Sequence, residues 1–84
     1  MSQKEKLIKR LLSRPKDFTF DELVTLMGHL GFRIDQGGKT SGSRVIFRHE
    51  QHQPVEIHRP HPGNTLKSYQ VRDIVKTLKE GDQL

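Results

Sequence analysis

The 84-residue sequence predicts one α+β domain: a three-stranded antiparallel sheet packed on two helices, with an extra N-terminal helix. Three observations carry this prediction. Apolar residues recur at helical spacing up to Gly31 and again beyond Ser68; between them the apolar period drops to two. The connections "QGGKTSGS" and "HEQHQP" between the alternating stretches are short enough for antiparallel hairpins.

The first helix starts from Ser2 and Glu5, which have capping-box spacing, and continues through Leu7, Ile8, Leu11 and Leu12. Pro15 ends it. Its narrow apolar stripe and high charge suit an appendage or an interface with another chain as well as a helix packed on the sheet. A second start signal, Thr19 with Glu22, precedes Phe20, Leu23, Val24, Met27 and Leu30, and Gly31 is a natural stop. Three short strands follow. Phe32 and Ile34 alternate with Arg33 and Asp35, Val45 and Phe47 with Arg44 and Arg48, and Val55 and Ile57 with Glu56 and His58. "HRPHPGNT" interrupts regular structure with two prolines and a glycine. The last helix runs from about Ser68 through Val71, Ile74, Val75 and Leu78, and Gly81 closes it. Residues 1–15 form the accessory helix and 19–81 the core of the domain.

Composition narrows the function classes. Only 31% of residues are hydrophobic, so the core is thin. The absence of cysteine excludes a disulfide framework and the usual thiolate zinc sites. No apolar run reaches the ~18 residues of a membrane span, and the N-terminus lacks the apolar region of a signal peptide, so a soluble, cytoplasmic protein is expected. Net charge is +5 and the pI about 9.9, a balance compatible with nucleic-acid binding but shared by many other small domains.

"GGKT" invites a phosphate-loop reading, but that motif needs a glycine five residues before its final one, where this chain has Arg33. Such a loop also leads into a helix, whereas this one leads into a strand. Gly37, Gly38 and Gly42 would by themselves only turn a hairpin. The flanking strands add more: Arg33, Arg44 and Arg48 fall on their polar faces, with Lys39 at the edge. From Arg33 to His61, five Lys and Arg stand against three Asp and Glu, and four histidines add positive charge as pH falls. Such a face suits a phosphate backbone.

Those histidines are His49, His52, His58 and His61. Imidazole is a common zinc ligand, but residues three apart in an extended chain point to opposite faces, and no further ligand pattern supports a metal. No metal or other cofactor is expected. RNA cleavage is the sharper alternative. It needs a base for the 2′-OH proton, a cation for the phosphorane and an acid for the leaving 5′-oxygen. "IHRPHPG" offers two imidazoles and a guanidinium where a strand runs into a proline turn. Histidines on a solvated rim account for the spacing equally well.

"ELVTLMGHLGFRIDQGGKTSGSRVIFRH", "VEIHRPHPG" and "LKSYQVRDIVKTLKEG" together resemble the HicA toxins of bacterial toxin–antitoxin systems. The matching features, from Phe20 to Gly81, are the Leu-Gly-Phe helix end, the Gly-Ser step opening the second strand, the His-Pro-Gly turn and the Arg72–Ile74 pair of the last helix. The resemblance implies a double-stranded-RNA-binding-domain-like α-β-β-β-α fold and an mRNA interferase. It also implies a HicB-like antitoxin partner that covers the RNA face. In the typical family a catalytic histidine follows Gly-Ser; here Arg44 follows Gly42-Ser43. Arginine stays protonated and cannot act as a general base, but it can bind phosphate or stabilise a transition state. Proton transfer then falls to His61, which aligns with the second histidine of the family pattern, and His58, with His49 a further candidate. Lys39, Ser43, Arg44, Arg48 and Arg33 are the expected RNA contacts. A catalytically silent RNA-binding domain of the same fold is the alternative, and a protein-interaction domain with a basic face for an acidic partner is a third.

Overall fold

The computed structural model describes residues 2–35, 44–60 and 63–84. Its elements are α1 (Gln3–Leu12), α2 (Phe20–His29), β1 (Arg33–Asp35), β2 (Arg44–Arg48), β3 (Val55–His58) and α3 (Ser68–Glu80). This is the expected α+β order, and the sheet is antiparallel with strand order β1-β2-β3. In the register, Arg33 opposes Arg48, Ile34 opposes Phe47 and Asp35 opposes Ile46; on the other side Arg44 opposes His58 and Phe47 opposes Val55.

The period-two pattern sets the faces of the sheet. Val45, Phe47, Val55 and Ile57 are buried, whereas Arg44, Arg48, Glu56 and His58 are exposed. The buried face meets Phe20, Leu23, Leu26 and Met27 of α2 and Val71, Ile74, Val75 and Leu78 of α3 in one core. The rings of Phe20 and Phe47 lie 6.4 Å apart across this layer.

α1 belongs to the same core. Leu7 and Leu11 are buried, and the helix packs on both α2 and α3. Arg10 anchors it: Nε donates to Glu22 Oε2 at 2.7 Å, and Nη2 donates to the carbonyl and carboxylate of Asp17. Its guanidinium also lies 5.6 Å from the centre of the Phe18 ring. Glu22 serves two partners, because its Oε1 also accepts the Thr19 N–H while the Thr19 hydroxyl accepts the Glu22 N–H, which completes the expected capping box. The hydrogen bond from Arg10 holds the Glu22 carboxyl below its ordinary pKa, against the opposing effect of burial.

Both long-range helix ends use the same stop. After α2, Gly31 has φ +92°, and the amides of Gly31 and Phe32 donate back to Gly28 and Met27. After α3 the left-handed residue is Asp82 (φ 59°), not Gly81, with Gln83 N–H bonded to the Leu78 carbonyl. Gly81 is small for another reason: a Cβ there would stand 3.2 Å from His52 Nδ1.

Candidate nucleic-acid interface

The exposed sheet face runs between two ends of the β2–β3 hairpin. At one end Arg44 lies directly across from His58, and side chains of such a pair start about 5 Å apart. At the other end Arg48 lies across from Arg33. Ile46, half-buried, sits between them. Arg33, Arg44 and Arg48 therefore share one face, as the alternation predicts.

Carboxylates temper that face. Arg44 Nη2 donates to Glu56 Oε2 at 2.8 Å, and Arg48 Nε donates to Asp35 Oδ2 at 2.8 Å. Both are diagonal pairs, reaching two residues along the neighbouring strand. All four side chains are 43–54% exposed, so each pair contributes little stability and can be exchanged for another anion. Arg33 is in no ion pair among the described residues.

His58 is held through its backbone. The buried Gln70 of α3 donates from Nε2 to the His58 carbonyl at 2.8 Å, and its Oε1 accepts the Lys67 N–H. One side chain thus joins the end of β3 to the start of α3. Gln70 was not legible as a site residue; the available signal was a lone polar group at the edge of an apolar helix face. Beyond His58, the Arg59 guanidinium lies 5.3 Å from the centre of the Phe20 ring. The chain then returns to α2, where Phe20 N–H bonds the Asn64 carbonyl and Leu66 N–H bonds the Phe18 carbonyl. Gly63 in the His-Pro-Gly turn has φ 88°, a conformation that favours glycine. Lys39, Ser43 and His61, with the glycines of the β1–β2 connection, lie outside the described residues.

The four histidines do not form one group. His49 and His52 meet at the hairpin turn, with ring centres 4.5 Å apart and His49 4.9 Å from Phe32. They are brought together because the chain turns after β2 instead of continuing extended. His49 Nε2 would stand 2.9 Å from a Cβ at Gly31, so the two imidazoles fill the space left by Gly31 and Gly81 at the ends of α2 and α3. The hairpin turn is thereby packed on two helices rather than loose. A cleft of about 340 Å³ beside His52 is lined by Phe32, Gln51, Gln53 and the end of α3. His49 is at the opposite end of β2 from Arg44 and His58, about 15 Å away at strand spacing. Among the described residues no three His, Asp or Glu side chains are grouped to hold a metal ion, and no helix is long and apolar enough to cross a membrane.

No curated protein and no solved structure matches the chain. The family model of the HicA toxin of bacterial toxin–antitoxin systems matches residues 20–80, from the first residue of α2 to the last of α3. Three helices, the antiparallel sheet and this match agree, and the chain belongs to the HicA toxin family of bacterial toxin–antitoxin systems.

Proposed function

We propose that the protein is an endoribonuclease toxin that cleaves mRNA at the Arg44–His58 end of its sheet and is neutralised by a HicB-like antitoxin covering that face. The observation that carries the reading is the direct opposition of Arg44 and His58 on an exposed face, with His58 fixed by Gln70. In the proposed reaction one imidazole, His61 or His58, takes the 2′-OH proton. The 2′-oxygen attacks phosphorus, the bond to the 5′-oxygen breaks, and the other imidazole returns a proton to that oxygen. The products are a 2′,3′-cyclic phosphate and a 5′-hydroxyl. Arg44 leaves Glu56 for the phosphate and offsets charge on the phosphorane. Lys39, Ser43, Arg48 and Arg33 hold neighbouring phosphates.

One observation favours a second reading. The strand position that carries histidine in the family pattern holds Arg44, which is already bound to a carboxylate. A domain that binds RNA without cutting it would have this appearance.

Product analysis separates the two. Purified protein free of any partner is incubated with a long unstructured RNA in EDTA, and the fragment ends are read. Cyclic-phosphate or 3′-phosphate ends, reduced on the order of 10²-fold or more by His58→Ala or His61→Ala, are the expected result. Intact RNA bound by folded protein would favour the silent domain.

A further inference from the structure

The chain's positive charge is concentrated in one place. Residues 1–16 contain Lys4, Lys6, Lys9, Arg10, Arg14 and Lys16 against Glu5 alone, a surplus of +5 that equals the formal charge of the whole chain. From Asp17 to Leu84, nine Lys and Arg meet nine Asp and Glu. On the exposed sheet face Arg44 and Arg48 are each neutralised by a carboxylate, which leaves Arg33 as that face's contribution among the described residues. Long-range attraction for a polyanion therefore resides on α1 and the turn after it, outside the matched residues 20–80.

The geometry keeps this charge available. Only Arg10 of the six bases is in an ion pair among the described residues, and the other five are exposed. With Leu7 and Leu11 buried, Lys6 and Lys9 lie on the side of α1 turned away from the core. Arg10, bonded to Glu22 and Asp17, holds the helix on α2, so the basic face is carried on a fixed element rather than a tail. Lys4 stands in the first turn, where the helix dipole disfavours a cation, so helix stability does not account for it.

We propose that α1 and its following turn dock the phosphodiester backbone of RNA, independent of sequence, and supply most of the salt-dependent affinity. This inference rests on RNA being the substrate. A lipid surface fits less well, because Leu7 and Leu11 are buried in the core and Leu12 is the one large apolar side chain of α1 that is exposed, too little to insert. An acidic protein fits less well too, since lysine is depleted in protein–protein interfaces. Compact cations on flexible stems suit a uniform row of phosphates.

The test uses the full chain carrying Lys6→Gln, Lys9→Gln, Arg14→Gln and Lys16→Gln together. Its affinity for a labelled, uncleavable 2′-O-methyl oligonucleotide is measured by fluorescence anisotropy from about 50 to 200 mM KCl, the range over which phosphate contacts weaken steeply. Each lost contact lowers the log–log salt slope by about 0.7 on a single strand, so a slope shallower by about 2–3 is expected. At low salt, affinity falls by about tenfold or more, while the circular-dichroism melt is preserved. The control pair Lys76→Gln with Lys79→Gln, on exposed positions of α3, leaves the slope unchanged. Should the fourfold variant misfold, the pairs Lys6→Gln/Lys9→Gln and Arg14→Gln/Lys16→Gln are each expected to give about half the effect. An unchanged slope with wild-type binding intact overturns the inference and leaves the RNA reading standing. A wild-type protein that neither binds nor cuts RNA sinks both. Charge-dependent binding to phosphatidylglycerol vesicles, with the RNA slope unmoved, would reassign the helix to a membrane surface and overturn it as well.

Discussion

Arg44 Nη2 donates to Glu56 Oε2 at 2.8 Å, so a phosphate approaching that nitrogen has to displace the carboxylate. Exposed ion pairs of this kind contribute about 0–1 kcal/mol, so the exchange is inexpensive, but in the proposed function the carboxylate would compete with RNA. Glu56→Gln removes the competitor and one negative charge from the sheet face. The expected result is tighter binding of uncleavable RNA, about two- to fivefold, corresponding to the upper part of that range. Anisotropy titration at low salt reads it directly. Equal affinity in the variant would show that Glu56 does not compete with RNA for Arg44. The same position explains why an arginine here differs from a histidine in kind: it adds a permanent charge and takes no part in proton transfer at neutral pH.

At the level of elements, the ends of α2 and α3 and the β2–β3 turn form one unit. Two helix stops bring Gly31 and Gly81 beside His49 and His52, and Gln83 Nε2 donates to the Leu30 carbonyl, tying the end of the described chain to α2. Gly31 is constrained twice, by φ +92° and by His49 Nε2 at 2.9 Å from any added Cβ. Left-handed backbone costs an L side chain about 1–2 kcal/mol, and displacing the imidazole adds to it. Gly31→Ala is therefore expected to lower the Tm by roughly 5–15 °C in a domain of this size, read by calorimetry. A Tm within about 2 °C of wild type would mean the turn is not packed as described. Because this unit lies at the far end of the sheet from His58, cleavage below the transition should be nearly unaffected.

At the scale of the whole molecule, Arg10 and Glu22 join α1 to α2 across their seam. Glu22 has its pKa lowered from the ordinary 4.5, chiefly by the Arg10 hydrogen bond. A carboxyl lowered on folding stabilises the native state above its unfolded pKa, and that stabilisation fades as pH falls through the folded value. Replacing Glu22 with Gln removes the ion pair and weakens the helix cap, at about 1 kcal/mol near neutrality. Thermal melts should then differ by about 4–8 °C at pH 7, and the gap should narrow as pH falls from 4.5 through the lowered folded value. A gap that stayed constant down to acid pH would show that the carboxylate charge contributes nothing.

The element order and the faces of each element were legible in the sequence, because both follow from local periodicity and short-range caps. Thr19 with Glu22 marked the start of α2, Gly31 its stop, and the alternation in the first two strands placed Arg33, Arg44 and Arg48 on polar faces. The order and spacing of the family features pointed to the HicA toxins for the same local reason: motifs are contiguous residues. Register is not local, and only the paired sheet decided that Arg44 faces His58, that Glu56 and Asp35 neutralise two arginines, and that His49 and His52 lie at the opposite end of the hairpin from His58. Nor could periodicity decide where α1 goes. Its narrow stripe, Leu7 and Leu11, has no assigned partner until α2 and α3 together offer a surface, and burial against that surface is what makes it part of the core.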